Sequence, residues 1–145
     1  FDNALTKAID EYNPGLIVLA GFMRILGADF AKHYQGRILN IHPSLLPAYP
    51  GTNTHQRVLD AGEKQHGVSV HFVTEELDGG PVIAQEAIAI EPSDDADSLA
   101  EKIHQKEHIL YPTVVSWFAD GRLRLDGNDA YLNERLLPES GERLS

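Results

Sequence analysis

The sequence contains no cysteine, and that absence removes several kinds of chemistry at once. Disulfide bonds, thiolate zinc sites and cysteine nucleophiles all need a thiol, so none of them can occur in this chain. Long apolar runs are also missing, since none approaches the roughly 18 residues that span a membrane. The opening residues Phe1-Asp2-Asn3 lack the basic segment of a signal peptide. We therefore expect no membrane partner and a cytoplasmic location.

Positive charge is scarce as well. The chain has 12 Lys and Arg against 22 Asp and Glu, for a formal net charge of -10. Nucleic-acid binding depends on clustered Lys and Arg that displace counterions from phosphates, and here these residues are scattered singly. We expect no nucleic-acid partner. With 145 residues, of which 42% are hydrophobic, the chain suits one compact domain.

Hydrophobic patterning predicts an α/β fold whose sheet is mixed, mainly parallel and flanked by helices. Predicted strands cover residues 16–20, 37–41, 67–74, 82–90 and 122–125, and predicted helices cover residues 3–12, 28–34 and 53–61, with a longer helix from residue 95. The strand over 67–74 alternates apolar and polar residues, which is typical of a half-buried strand. Asn53 or Thr54 is expected to cap its helix. The residues after 125 are expected to form a polar tail.

The last long helix has one apolar face. Its apolar residues recur at helical spacing: Leu99, Ile103, Leu110, Val114 and Trp117. Pro112 lies inside this pattern and should kink the helix or divide it in two.

Polar residues at the end of the predicted strand 37–41 could carry chemistry. Asn40 and His42 are two apart, so in extended backbone they project to the same side and can reach a common point. Such a pair offers donors to an oxygen that gains negative charge, and a group that exchanges protons near neutral pH. Asp78, in the Gly-rich loop 77–81, could orient His42 and favour its protonated form. Taken singly, each of the three is more often a turn-forming or structural residue.

The sequence favours other kinds of chemistry less. A metal site through His42, His55, His71 and Asp78 lacks a local ligand pair such as H-E-x-x-H, so we expect no metal. A serine hydrolase acting through Ser44 or Ser116 lacks the G-x-S-x-G nucleophile motif. The chain also contains no P-loop, no G-x-G-x-x-G turn and no EF-hand loop.

The longest motif is Asn40-Ile41-His42-Pro43-Ser44-Leu45-Leu46-Pro47, followed by Tyr49-Pro50-Gly51. Four more stretches keep the same order, at residues 19–26 (LAGFMRIL), 67–73 (GVSVHFV), 77–85 (LDGGPVIAQ) and 107–112 (EHILYP). Together these motifs resemble the folate-dependent formyltransferases, from residue 1 to about residue 125. Residues 43–46, 49–51, 54–55 and 70–72 look like the branch that formylates glycinamide ribonucleotide in purine biosynthesis. The 10-formyltetrahydrofolate hydrolase and methionyl-tRNA branches share the Asn-x-His pair and the Asp.

This resemblance implies a Rossmann-like fold and a specific reaction. The amine of glycinamide ribonucleotide attacks the formyl carbon of the co-substrate 10-formyltetrahydrofolate, and no covalent enzyme adduct forms. It implies that Asn40, His42 and Asp78 are catalytic and that His104 and Glu107 contact the ribonucleotide. The implied folate-binding residues are Met23, Arg24, Ile25, Leu26, Asn40, Thr74, Glu75, Glu76, Leu77 and Asp78.

The chain departs from the family pattern in two ways. Asn53 stands where histidine is usual, at a position away from the chemistry. Residues 1–145 are expected to be the folate-binding and catalytic part of the fold, lacking an N-terminal βαβ half whose glycine-rich turn binds the ribonucleotide phosphate. The uncovered sheet edge would favour association, so a homodimer is among the expected partners. Two alternatives to transfer stay open: hydrolysis of the same folate, and a catalytically incomplete folate-binding fragment.

Overall fold

The computed structural model describes residues 8, 11, 15–19, 28–74 and 79–144. Its elements in chain order are β1 Ile17–Leu19, α1 Ala28–His33, β2 Ile38–His42, α2 Thr54–Asp60, β3 Gln65–Phe72, β4 Val82–Ala89, α3 Ala96–Ala119, β5 Leu123–Asp126, β6 Asp129–Leu132, β7 Arg135–Leu136 and β8 Glu142–Arg143. The helix predicted over residues 3–12 lies outside the described residues, apart from Ala8 and Glu11. Of the helices described, none combines the length and apolar character that crossing a membrane requires.

Five strands form the main sheet, in the order β1-β2-β3-β4-β8. The pairs β1–β2 and β4–β8 are parallel, whereas β2–β3 and β3–β4 are antiparallel. The predicted mixed sheet with flanking helices is therefore confirmed, and within this sheet two of the described pairings are parallel and two are antiparallel. Because β1 and β2 run the same way, their carboxyl ends lie at one edge of the sheet, where ligands of such folds bind.

Helix α3 packs on one face of this sheet through its apolar stripe. It begins with a reciprocal cap, since the Asp95 side chain accepts from the Ser98 N–H at 2.8 Å and the Ser98 hydroxyl accepts from the Asp95 N–H at 2.9 Å. The helix continues through Pro112, so of the two expected effects division of the helix is wrong, and a kink stays a prediction. An interior proline costs roughly 3 kcal/mol. Burial of Leu110 and Val114 on either side of it contributes about 1.5–3 kcal/mol for each side chain and outweighs that cost.

The opposite face of the sheet is covered by α1 and by the turn that follows β2. Phe30 and Tyr34 are buried against Ile38 in a small cluster of their own. Farther along this face, Leu45 from the turn lies against the backbone at Gly67, where an added Cβ would be only 2.4 Å from Leu45 Cδ2. The sheet therefore has no solvent-facing side over β3, and the prediction of a half-buried strand there is wrong: residues 66–72 are all buried.

The residues after 125 do not form the expected polar tail. Strands β5, β6 and β7 form a second, antiparallel sheet of three strands, and β8 joins the edge of the main sheet beside β4. Strands β5 and β6 are joined by the two residues Gly127-Asn128, the loop length of a tight hairpin. Leu123, Ala130 and Leu132 of this hairpin are buried in the main core, which gives the hairpin its stability.

Helix α2 begins without the predicted side-chain cap. Asn53 occupies the cap position in a left-handed conformation (φ 58°) and its side chain makes no capping hydrogen bond. The Thr54 hydroxyl instead donates to the Pro43 carbonyl at 2.6 Å. The hydroxyl thus ties the start of α2 to the turn after β2.

Candidate active site

Asn40 and His42 occupy the last part of β2 and project from the same face of the sheet. Leu39 and Ile41, which alternate with them, belong to the core beneath α3, so the polar pair faces away from that helix. In the neighbouring strand β3, Asn40 pairs with His71 and His42 pairs with Ser69. Asn40 and His42 therefore share one face of the sheet, as the two-residue period of an extended strand predicts, at the edge where β1 and β2 end.

His42 is held by the turn that follows it. Its Nε2 lies 2.8 Å from the Tyr49 carbonyl oxygen, and the ring is only 6% exposed. A carbonyl oxygen can only accept, so Nε2 carries the hydrogen and donates it. The ring therefore gains or loses its charge at Nδ1. The contact fixes both the orientation of the imidazole and the nitrogen that can move a proton.

The turn is built to present that carbonyl. Tyr49 has φ 52°, a left-handed conformation that is strained for a residue with a large side chain. Supporting hydrogen bonds surround it: the Ser44 hydroxyl donates to Ala48 O at 2.6 Å, and the Arg57 guanidinium donates to Pro50 O at 2.6 Å. Strain of about 1–3 kcal/mol persists only where neighbouring contacts impose it, and here the imposed conformation aims a carbonyl at His42.

The Asn40 side chain has an unmet hydrogen-bonding capacity. Its Oδ1 is buried, and no described residue donates to it. An unsatisfied buried polar atom costs about 1–3 kcal/mol. A ligand that brings an N–H or O–H group to this point would remove that cost.

A buried polar network supports the turn from beneath. The Ser69 hydroxyl donates to Ser44 O at 2.7 Å and accepts from Leu46 N at 3.0 Å and from Gln85 Nε2 at 3.0 Å. Gln85 Nε2 also donates to Leu46 O at 2.6 Å, and Arg143 of β8 donates to Gln85 Oε1 at 3.0 Å. Sequence reasoning did not identify this network, although Ser69 and Gln85 lie within the motifs of the family. Its one available signal was polar residues within otherwise apolar strands.

A pair of histidines lies beside the site. His66 of β3 is 1% exposed, and its Nε2 is 3.0 Å from Nδ1 of His55 on α2. Burial, with smaller contributions from His55 and His42, lowers the pKa of His66 to about 4. Burial also lowers the pKa of His55. His66 is therefore neutral at neutral pH, and this pair was not foreseen from the sequence.

The three described histidines of the metal site that the sequence did not support have separate partners. His42 contacts Tyr49 O, His55 pairs with His66, and His71 Nδ1 donates to Phe72 O at 2.9 Å. Across the described part of the chain, no group of three or more His, Asp or Glu side chains is arranged to hold a metal ion.

Several predicted site residues lie outside the described residues: 23–26, 75–77 and Asp78. The two ends of the 75–78 loop are described. Thr74 is half-buried just beyond β3, and the Phe72 N–H donates to Pro81 O at 3.0 Å. Gly80 packs so closely that an added Cβ would be 1.8 Å from Phe72 O. The loop predicted to cover the folate thus starts and ends against the last residues of β3.

The predicted ribonucleotide contacts lie together on α3. His104 Nδ1 is 3.4 Å from Glu107 Oε2, and His104 Nε2 is 2.9 Å from His108 Nε2. The His104 side chain is 62% exposed and that of Glu107 27%, so both can be reached by a ligand. One turn farther along the helix, the Tyr111 hydroxyl lies within hydrogen-bonding distance of two carbonyl oxygens, Leu19 O at the end of β1 and Leu39 O next to Asn40 in β2, which share its one hydrogen. This face of α3 therefore approaches the edge of the sheet at which Asn40 lies.

The profile of the formyl transferase family matches residues 1–115 of this chain. The chain belongs to the formyl transferase family. It is 52% identical over 141 residues to the phosphoribosylglycinamide formyltransferase of Escherichia coli K12, an alignment that covers 97% of this chain and 66% of that protein. The family resemblance inferred from the motifs is thereby confirmed, and the chain spans just under two thirds of the length of that relative.

Solved structures agree with this assignment. The phosphoribosylglycinamide formyltransferase of Coxiella burnetii superposes with a TM-score of 0.95 at 53% identity, covering 99% of this chain and 68% of the other. A formyltetrahydrofolate deformylase from Pseudomonas syringae superposes with a TM-score of 0.84 at 25% identity, covering 90% of this chain and 44% of the other. The predicted formyltransferase fold is therefore confirmed.

Proposed function

We propose that this chain carries the catalytic part of a glycinamide ribonucleotide formyltransferase of purine biosynthesis. In this reaction the formyl group moves from N10 of 10-formyltetrahydrofolate to the amine of the ribonucleotide. The observation that carries the proposal is the pair Asn40 and His42 on one face at the end of β2, with the His42 ring fixed by the Tyr49 carbonyl. The names of the relatives above support the choice of both substrates.

The chemistry can proceed by direct attack. The amine nitrogen bonds to the formyl carbon, the carbonyl oxygen becomes an oxyanion, and the bond from that carbon to N10 then breaks. Overall the amine loses one proton and N10 gains one. Asn40 donates to the oxyanion through its amide, and His42 in its protonated form does so through Nδ1–H. Preorganised donors of this kind are each worth roughly 3–4 kcal/mol of the barrier.

Proton transfer falls to His42. Because Nε2–H is engaged with Tyr49 O, the proton delivered toward N10 comes from Nδ1. Asp78 is proposed to favour the protonated ring, since a nearby carboxylate raises the pKa of a histidine, and to order the water that relays protons. The buried Oδ1 of Asn40, which no described residue reaches, suits a hydrogen bond from the attacking amine.

The remaining contacts complete the proposal. Residues 23–26 and 74–78 are proposed to bind the folate, and His104 and Glu107 are proposed to contact the ribonucleotide. The exposure of His104 and Glu107, and their position on the helix that approaches β1 and β2, support the second assignment. Binding of the ribonucleotide phosphate by an additional N-terminal segment, a homodimer and a cytoplasmic location stay predictions.

The decisive experiment measures both products. The purified protein is incubated with 10-formyltetrahydrofolate with and without glycinamide ribonucleotide, and formylated ribonucleotide and free formate are quantified separately. Transfer that depends on the amine supports the proposal. Formate release at the same rate without the amine identifies a hydrolase, the activity named for the Pseudomonas syringae relative. Folate binding with neither product identifies a catalytically incomplete folate-binding protein.

Variants then test the roles of the two residues. Asn40→Ala and His42→Ala should each lower kcat about a hundredfold or more, because each removes a donor to the oxyanion. Folate affinity, measured by titration with a folate analogue, should change far less. Near-normal turnover in His42→Ala would refute the role given to this residue.

A further inference from the structure

Tyr111 joins helix α3 to the two strands that end at the candidate site. Its hydroxyl is within hydrogen-bonding distance of one carbonyl oxygen on each strand, Leu19 O of β1 and Leu39 O of β2, the latter at 3.0 Å. Burial raises the pKa of Tyr111, so the hydroxyl stays protonated and remains a donor. A single side chain thus bridges two neighbouring parallel strands, at the last residue of β1 and at the residue of β2 that precedes Asn40.

The two carbonyl groups lie next to Asn40 in both the sequence and the sheet. Leu39 O belongs to the peptide unit whose N–H is that of Asn40, and Leu19 is the residue of β1 in register with Asn40. Leu39 is buried on the α3 side, whereas Asn40 projects to the opposite side. The Tyr111 hydroxyl therefore contacts the backbone beside Asn40 from the α3 side of the sheet. It does not reach the space on the other side, into which the Asn40 side-chain amide projects.

We propose that Tyr111 is a positioning residue of the formyl-transfer site, acting through the backbone of Asn40. The hydroxyl fixes the spacing of β1 and β2 at the level of the Leu19–Asn40 pair and so sets where the Asn40 amide points. This inference rests on the proposed function, because it assigns a residue to the same reaction. The residue does not touch the substrates in this role.

A phenyl ring is not expected to replace the tyrosine in this role, because the role depends on the hydroxyl. Phenylalanine fills the same space but provides no donor, so the hydrogen that the two carbonyl oxygens share is lost while the ring packing is kept. The strands are then free to adjust their spacing, and Asn40 moves with them. A misplacement of about 1 Å at a reacting group can cost about a hundredfold in rate. Since the strands remain paired, a smaller displacement and a loss of about tenfold in kcat are expected for Tyr111→Phe.

The test is a double-mutant cycle in this protein. Transfer is measured for the wild type, Tyr111→Phe, Asn40→Ala and the double variant at saturating concentrations of both substrates. If Tyr111 acts through Asn40, Tyr111→Phe has little effect once the Asn40 side chain is already absent. It should therefore lower kcat about tenfold in the wild type but less than twofold in the Asn40→Ala background. Tenfold losses in both backgrounds would overturn the proposal. An unchanged kcat in Tyr111→Phe itself would overturn it equally.

Two controls separate positioning from stability. Tyr131→Phe makes the same change on β6, in the second sheet, where the guanidinium of Arg124 lies over the ring, and should keep kcat within twofold. Val114→Ala removes buried volume from α3 next to Tyr111 without altering a hydrogen bond. Assayed below its melting temperature, it should also keep kcat. If Val114→Ala reduces kcat as much as Tyr111→Phe does, the effect is merely structural and the positioning role is refuted.

The pH profile gives a readout specific to the mechanism. Because the Tyr111 hydroxyl acts on Asn40 and the Tyr49–His42 contact stays in place without it, Tyr111→Phe should lower kcat by the same factor at every pH. The pH at which kcat changes should not shift. A shifted profile would show that the substitution acts on His42 and would contradict the assignment to Asn40. If the wild type hydrolyses the folate instead of transferring the formyl group, the proposed function fails. The same cycle is then read on formate release, where Asn40 would face the same oxyanion.

Discussion

Ser69 gives the most direct test of how the turn after β2 is held, through the substitution Ser69→Ala. This hydroxyl is fully buried and makes three hydrogen bonds, which use its one hydrogen and both of its lone pairs. Two of the three partners, Ser44 O and Leu46 N, belong to the turn that carries Tyr49. Alanine keeps the fold of the strand and removes only the oxygen.

The expected cost follows from what each partner loses. The Leu46 N–H becomes a buried donor without a partner, which costs about 1–3 kcal/mol, and Ser44 O loses a net bond worth about 1 kcal/mol. Gln85 Nε2 keeps its second acceptor, Leu46 O at 2.6 Å, so it adds little. We therefore expect the free energy of unfolding to fall by about 2–4 kcal/mol. Because the turn loosens, kcat should fall more than folate affinity does.

Urea unfolding followed by circular dichroism measures the stability change, with Ser116→Ala as the matched control. The Ser116 hydroxyl donates to a carbonyl of its own exposed helix surface, and such surface substitutions usually stay within about 0.5 kcal/mol. A loss below about 0.5 kcal/mol in Ser69→Ala would refute the reasoning, because it would mean that the three hydrogen bonds contribute nothing net. Reduced stability with unchanged kcat would refute the link from this network to catalysis.

Three further predictions concern separate parts of the fold. Gly80→Ala places a Cβ 1.8 Å from the backbone oxygen of Phe72, a clash that side-chain motion cannot relieve, so the melting temperature should drop sharply. In the control Gly15→Ala, where an added Cβ meets nothing within 4 Å, the melting temperature should change little. The pKa of His66 is depressed from 6.5 to about 4 in the folded protein. Between these values the unfolded chain binds the proton more readily than the folded protein does, so the contribution of neutral His66 to the free energy of unfolding is complete above pH 6.5 and is lost as pH falls toward 4. Unfolding measured across that range should show a weaker pH dependence in His66→Gln, and an unchanged slope would contradict the assignment. Asp95→Ala removes the side-chain cap of α3 and should cost about 1 kcal/mol in urea unfolding, while a cost near zero would show that the cap is dispensable.

Local periodicity was sufficient to predict the part of the site that one strand carries. Two residues at positions i and i+2 of an extended segment share a face whatever the rest of the fold does, and Asn40 and His42 do so in β2. The amphipathic face of α3 was predictable for the same reason. Its five apolar positions recur within one segment and are all buried.

Contacts between distant segments could not be predicted in this way. Alternating apolar and polar residues in β3 have the pattern of a strand with one face in water, because sequence period cannot reveal that a turn covers the second face. Ser69 and Gln85 therefore have the same pattern as surface residues, although both are 1% exposed or less. Strands β7 and β8 contain two residues each, too few for any period to appear, and they depend on tertiary packing.

The hydrogen-bond network around Ser69 also explains how the turn after β2 can hold a defined position. Apolar packing on the α3 face resists changes of volume but imposes few directions, since dispersion attraction is weak and non-directional for each atom pair. Hydrogen bonds weaken steeply with angle, so the Ser69 network on the opposite face fixes the turn in direction as well as distance. A buried network of this kind costs little only when every member is satisfied, and the Ser69 hydroxyl is fully satisfied. The turn whose Tyr49 carbonyl orients His42 is thus held by directional bonds, whereas the core beneath α3 is held mainly by packing, with the hydroxyl of Tyr111 as its directional contact.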